Sequence, residues 1–299
     1  MVHTMKTTHG KVTLNVDEQG VLTKIFSADG CEELKIPHVL PTGETIKEIG
    51  PRVVSGEFGR IIIDDEIDSV CSSAFAYSEV GEIVWPSACK EIPDYCFQHS
   101  LFTAVHNTEH VAHIGVSAFS GSNIESFVWP KNCHSVPFRC FAFSSISSID
   151  NLTDVVSIKE GAFMATQIKH ISWPRGCKSI PRGCFLYSKI KSIDGIEQVT
   201  CIGDSAFEDS SLVEITWPDE CRTIPTCCFA GSCLNRITNL SNVTEIGRSA
   251  FYEASELESL DLSSSPIVQF GISSFYQIDV SKIKLPYYVD SDDIQYAFA

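Results

Sequence analysis

Phenylalanine returns at a fixed interval along this chain. Phe75, Phe97, Phe119, Phe141, Phe163, Phe185, Phe207, Phe229 and Phe251 lie 22 residues apart, and Phe275 follows after 24. A small residue precedes each one: Ala74, Cys96, Ala118, Cys140, Ala162, Cys184, Ala206, Cys228, Ala250 and Ser274. Other apolar columns keep step at five, eight and seventeen residues after the Phe, as in Ile168, Ile171 and Ile180. Three after it stands Ser or Thr, with Ala254 the exception among the regular units. A period of this length specifies a stacked array, because one unit cannot bury both faces of its apolar layer alone. The segment L-x-x-I-x-W/N reads as a short strand, with positions eight and ten facing the same side. Each coil then adds one parallel strand, and the A-F segment is expected to make a helical turn on the far side.

The unit I-P/G-x-x-A/C-F-x-x-S-x-I-x-x-I-x-x-P resembles the BspA-like leucine-rich repeats of bacterial and parasitic-protist proteins. The expected fold is an α/β repeat solenoid: a leucine-rich-repeat superhelix with one short parallel strand per 22-residue coil and a short helical turn opposite. Residues 1–45 are read as an N-terminal cap, 46–286 as the repeat array of about ten coils, and 287–299 as a C-terminal cap. Within the first, residues 11–25 (KVTLNVDEQGVLTKI) alternate apolar and polar around Glu-Gln-Gly, the mark of a hairpin. The resemblance implies surface association and adhesion to a host or microbial partner.

Net charge is −16, which argues against a nucleic-acid partner and against anionic lipid. No apolar run reaches the length of a membrane span. The first residues lack a signal-like stretch, so the default expectation is a cytosolic protein, with the cell surface as the alternative that the resemblance implies.

Thirteen cysteines invite a metal or redox reading. Aligning half-repeats argues for a blander one. Cys89/Cys96, Cys133/Cys140, Cys177/Cys184 and Cys221/Cys228 occupy slots that neighbouring coils fill with Val and Ala, such as Val155/Ala162. They are expected to be small core hydrophobes with free thiols. A bridge within one coil, Cys89 to Cys96, stays open. The segment HNTEH, residues 106–110, spells a metalloprotease motif, but it falls where strand and turn are expected rather than on a helix. Trp85, Trp129, Trp173 and Trp217 recur every 44 residues and alternate with Asn107, Asn151, Gly195 and Asn239. Their register favours the core over an exposed ladder, with an indole N–H to an Asn carbonyl as a plausible bond. Asn151, Asn239 and Asn242 also head glycosylation sequons, which compete with this structural role at the first two.

No phosphate loop, nucleophile elbow or catalytic carboxylate pair stands out, so no catalytic residue, cofactor or resident metal is expected. Outward positions of the sheet gather Gln167, Lys169, His170, Lys189 and Lys191, a basic island on an acidic chain. That island offers a docking spot for an acidic partner, although a plain solvated face is the commoner meaning of such a cluster. The functional expectation is a non-enzymatic protein-binding or adhesion module, with an intracellular scaffold of the same fold as the alternative.

Overall fold

The computed structural model describes residues 2–7 and 10–299. It divides into two compact units, Met1–Asp154 and Val155–Ala299. Each unit is built of 22-residue coils stacked in parallel register.

Two ladders of short strands run through each unit, where one strand per coil was expected. In the first unit Cys31–Ile36, Glu57–Ile63, Glu79–Val84 and Ala104–His106 pair side by side in parallel. In the second unit His170–Ser172 pairs with Ser192–Asp194, and Glu214–Thr216 with Arg236–Thr238. These strands form what we term the strand wall. The second ladder follows about nine residues later, where Glu91–Ile92 pairs with His113–Ile114 and Ser179–Ile180 with Cys201–Ile202. The isoleucine seventeen residues after each Phe is the inward residue of this second ladder; Ile92, Ile180 and Ile224 are wholly buried. A coil therefore bends twice between strands and closes through the A-F segment.

That A-F segment is not helical, and the described residues contain no α-helix, only three short 3-10 segments. Its backbone alternates. The residues two before and two after the Phe take positive φ in coil after coil: Tyr95 (56°) and His99 (53°), Gly183 (57°) and Tyr187 (59°), Ser249 (51°) and Glu253 (54°). A left-handed residue at every fourth position cannot continue a right-handed helix. Alternate N–H groups point along the stack instead. Phe75 N donates to Cys96 O at 2.9 Å and Tyr77 N to Gln98 O at 2.8 Å, while Ala76 N turns back to Ser73 O at 3.1 Å. Hydrogen bonds that a helix would keep within one coil here join neighbours. We term this face the turn wall.

The Phe column fills the space between the walls. Phe97, Phe119, Phe185, Phe207 and Phe229 are wholly buried. Rings stack at 5.5 Å between Phe97 and Phe119 and at 5.8 Å between Phe185 and Phe207. The Ser/Thr column has a definite task. Ser100 Oγ donates to Phe97 O and Ser232 Oγ to Phe229 O, both at 2.7 Å, and both hydroxyls are buried. A three-residue return to its own chain satisfies the hydroxyl without help from another coil.

Both ends carry devices of their own. Gly10–Val16 and Val21–Ser27 form the expected antiparallel hairpin, with Leu14 opposite Ile25. Val53 takes the Phe slot in an early coil, where its N–H donates to Ala74 O at 3.0 Å. At the other end Phe275 N donates to Ala297 O at 2.7 Å, and the Phe298 ring lies 5.3 Å from Phe275. Ala297-Phe298 thus repeats the small-Phe pair once more.

Candidate functional site

The 44-residue alternation shapes the strand wall. The four tryptophans are buried, as their register implied. The bonding partners differ from expectation. Trp129 Nε1 donates to Cys133 O (2.7 Å), and Trp217 Nε1 to Cys221 O (2.8 Å). The Asn of the neighbouring coil donates instead to the Trp carbonyl: Asn107 to Trp85 O, Asn151 to Trp129 O and Asn239 to Trp217 O, each at 2.7 Å. Asn107, Asn151, Gly195 and Asn239 all have positive φ, so the column selects residues that tolerate that backbone rather than simply small ones.

In three of the four coils where Asn or Gly stands in place of Trp, less bulk covers the strand before it. Ile171 and Ile215, two residues before Trp173 and Trp217, are buried, as is Ile237 before Asn239; Ile149, before Asn151, is half-buried, and so are Val105 and Ile193, two before Asn107 and Gly195. A groove opens at each of these last two. One, of about 660 Å³ in the first unit, is lined by Val105, His106, Glu109, Val128 and Lys131. The other, of about 690 Å³ in the second unit, is lined by Ser192, Ile193, Asp194, Glu214, Thr216 and Arg236. The same stretches of the repeat line both, four coils apart in sequence.

The basic island borders the second groove. Gln167, Lys169, His170, Lys189 and Lys191 are all exposed. Lys191 N donates to Lys169 O at 2.8 Å, and Lys189 N to Thr166 O at 2.9 Å. Lys169 and Lys191 therefore share one column in adjacent coils, and Gln167 and Lys189 another. Among the described residues none of the three lysines has an ion-pair partner. His170 is engaged elsewhere. Its Nδ1 lies 3.0 Å from Ser192 Oγ, and its Nε2 lies 3.2 Å from Asp194 Oδ2. This Ser-His-Asp array lies open to solvent on flat strands whose amides serve the ladder, so nothing on that strand stands ready to hold an oxyanion. Sequence reading missed the array and the groove. The Trp-to-Gly195 alternation was the signal that pointed to the groove.

The HNTEH histidines go separate ways. His106, on its strand, approaches Glu82 Oε2 at 3.3 Å, whereas His110 Nε2 reaches the carbonyls of Pro86 (2.9 Å) and Cys89 (3.1 Å). No three His, Cys, Asp or Glu side chains converge among the described residues. The eight column cysteines are buried thiols and form no bridge. Burial pushes the thiols of Cys133, Cys177 and Cys221 up to about 11 and those of Cys96, Cys140, Cys184 and Cys228 well above the ordinary range. Such thiols are poor nucleophiles and poor metal ligands.

A 22-residue period, two parallel ladders and a Phe-filled interior define a leucine-rich-repeat protein. The family described as BspA type leucine-rich repeat region matches with six copies, over residues 24–146, 65–191 and 178–299. The chain belongs to that family. Among curated proteins the sequence finds no match. Among solved structures it is similar to a leucine-rich repeat protein from Bacteroides ovatus, at 17% identity and a TM-score of 0.57, covering 100% of this chain and 95% of that one. It is similar also to a leucine-rich cell surface protein from Faecalibacterium prausnitzii (15%, TM-score 0.53, 99% and 97% covered). The pneumococcal vaccine antigen PcpA matches at 14% and a TM-score of 0.53, over 90% of this chain and 78% of that one. At such identities the likeness is one of fold. No helix among the described residues is long and apolar enough to cross a membrane, and none of the matches supports the cytosolic expectation.

Proposed function

We propose that the chain is a non-enzymatic adhesion module that docks an acidic surface partner on the strand wall of its second unit. The observation that carries this reading is the set of three lysines, Lys169, Lys189 and Lys191, grouped without internal counter-ions on a chain of net charge −16. Like charges on neighbouring coils repel, and an external anion removes that cost. Residues 1–45 and 287–299 serve as caps in this account, with 46–286 as the array. Surface placement draws support from the likeness to the Faecalibacterium leucine-rich cell surface protein. The test is binding of the purified chain to intact cells, with and without charge reversal at the three lysines. Binding by the native chain and its loss in the variant are expected; equal binding by both removes the island from the account.

A second reading, a scaffold inside the cell, is favoured by the eight buried column thiols, since reduced cysteines suit a reducing compartment. Labelling of intact cells with an impermeant reagent separates the two. Label on the chain supports adhesion, and label confined to lysate supports the scaffold.

A further inference from the structure

Resting on that reading of the island, we infer that the anions it takes are the sulfate esters of a glycan chain. Two observations point there. The first is the lattice of cations. Lys169 and Lys191 stand in register on adjacent coils, about 4.8 Å apart along the stack, and Lys189 lies two residues before Lys191, about 6–7 Å along the chain. The same two columns continue through Ser211 and Val213 to Cys233 and Asn235 before the first carboxylates, Glu256 and Glu258, appear. The island has three lysines and no arginine. Ammonium groups act as point charges toward sulfate, phosphate and carboxylate oxygens alike, so the class of ligand is read from the groove beside them.

The second observation is the groove that the island borders. Its lining includes Asp194, Glu197 and Glu214, the hydroxyls of Ser192, Thr216 and Thr238, and the guanidinium of Arg236. An acidic peptide brings side chains that only accept, and would meet the acids of the groove with its backbone N–H groups alone. A sulfated sugar brings both kinds of group. Its hydroxyls donate to Asp194 and Glu214 while its sulfates sit over the lysines. A lining of acids, hydroxyls and one guanidinium suits a ligand that carries many hydroxyl donors beside its anions.

The experiment measures binding of the full chain to immobilised heparin, to heparin stripped of sulfate, and to a poly-glutamate peptide. The native chain and a Lys169→Glu, Lys189→Glu, Lys191→Glu variant are compared, with circular dichroism and thermal midpoint confirming that both fold. The expected result is heparin binding that falls steeply with salt and drops about tenfold or more in the variant, with little binding to the other two probes. Heparin binding unchanged in the variant overturns the inference. Poly-glutamate binding equal to or tighter than heparin overturns it too, while leaving the acidic-partner reading intact. Binding to neither polyanion sinks both.

Discussion

The turn wall and the strand wall are made by the same 22 residues, yet they obey different rules. On the turn wall the backbone decides. Two positive-φ residues per coil, inter-coil N–H bonds and a buried Phe set the conformation, whatever side chain fills the left-handed slots: Gly183, Arg139, Phe143, Ala165 and Glu253 all do. On the strand wall only the inward column is bound by the core. The positions four, six, seven and nine after the Phe point out and vary from Glu82 to Ser126 to Lys191. The contrast teaches where to look for function in a repeat protein: in the columns that the fold does not need.

The largest effect tests the interior from the side of its thiols. Cys133, Cys177 and Cys221 have folded values of about 11, above those they would have in the unfolded chain. A thiol whose value is raised on folding contributes stability that is complete below the unfolded value and lost as pH climbs through the folded one. The thermal midpoint should therefore drop between about pH 9 and pH 11. Replacing these three with Val, the residue that alternate coils carry at the same slot, should flatten that decline. An unchanged alkaline slope would show that the thiols are not buried as described.

Next comes the Phe column. Phe185→Ala removes a ring held between Phe163 and Phe207 with Trp173 at its edge, and should cost about 3–5 kcal/mol by chemical denaturation. A loss under about 1 kcal/mol would mean that the stack is not what holds the walls together.

A smaller change decides between the two accounts of the turn wall by its sign. Gly183 has φ of 57°, and a Cβ there would meet nothing nearer than Met164 Cε at 3.6 Å. Space is not the obstacle, so Gly183→Ala measures the backbone alone. It should destabilise by about 1 kcal/mol if the residue is left-handed, and stabilise by about as much if the segment were helical.

The sequence disclosed the coil, its inward columns and its Trp/Asn alternation, because each leaves a repeated apolar or bulky residue in register. It did not disclose the turn wall. Left-handed slots filled by Tyr95, His99, Ser117 and Glu253 carry no shared side-chain chemistry, so a helix-like A-F pattern was the natural misreading. The second ladder was missed for a related reason: two-residue strands such as Ser179–Ile180 are too short to show alternation. For the site, the island was legible as charge against an acidic background. The tie of His170 to Asp194 was not, since it needs the inter-coil register that places residues 24 positions apart within 3.2 Å.

The smallest expected effect is the one on which the comparison depends. If the outward columns are free of structural duty, reversing Lys169, Lys189 and Lys191 together should move stability by less than about 0.5 kcal/mol per site while changing what the protein binds. The sign of the small shift is informative. Reversal keeps three like charges side by side, so the repulsion within the island is about the same before and after. Three new carboxylates then add negative charge to a chain already at −16 and stand near Asp194. The small shift is therefore toward lower stability, and raising salt screens it. A thermal midpoint that stays level across salt concentrations, beside a binding signal that does not, is the outcome in which the strand wall carries recognition and the turn wall carries the fold. A large loss of stability would instead make the island part of the scaffold and erase the distinction between the two walls.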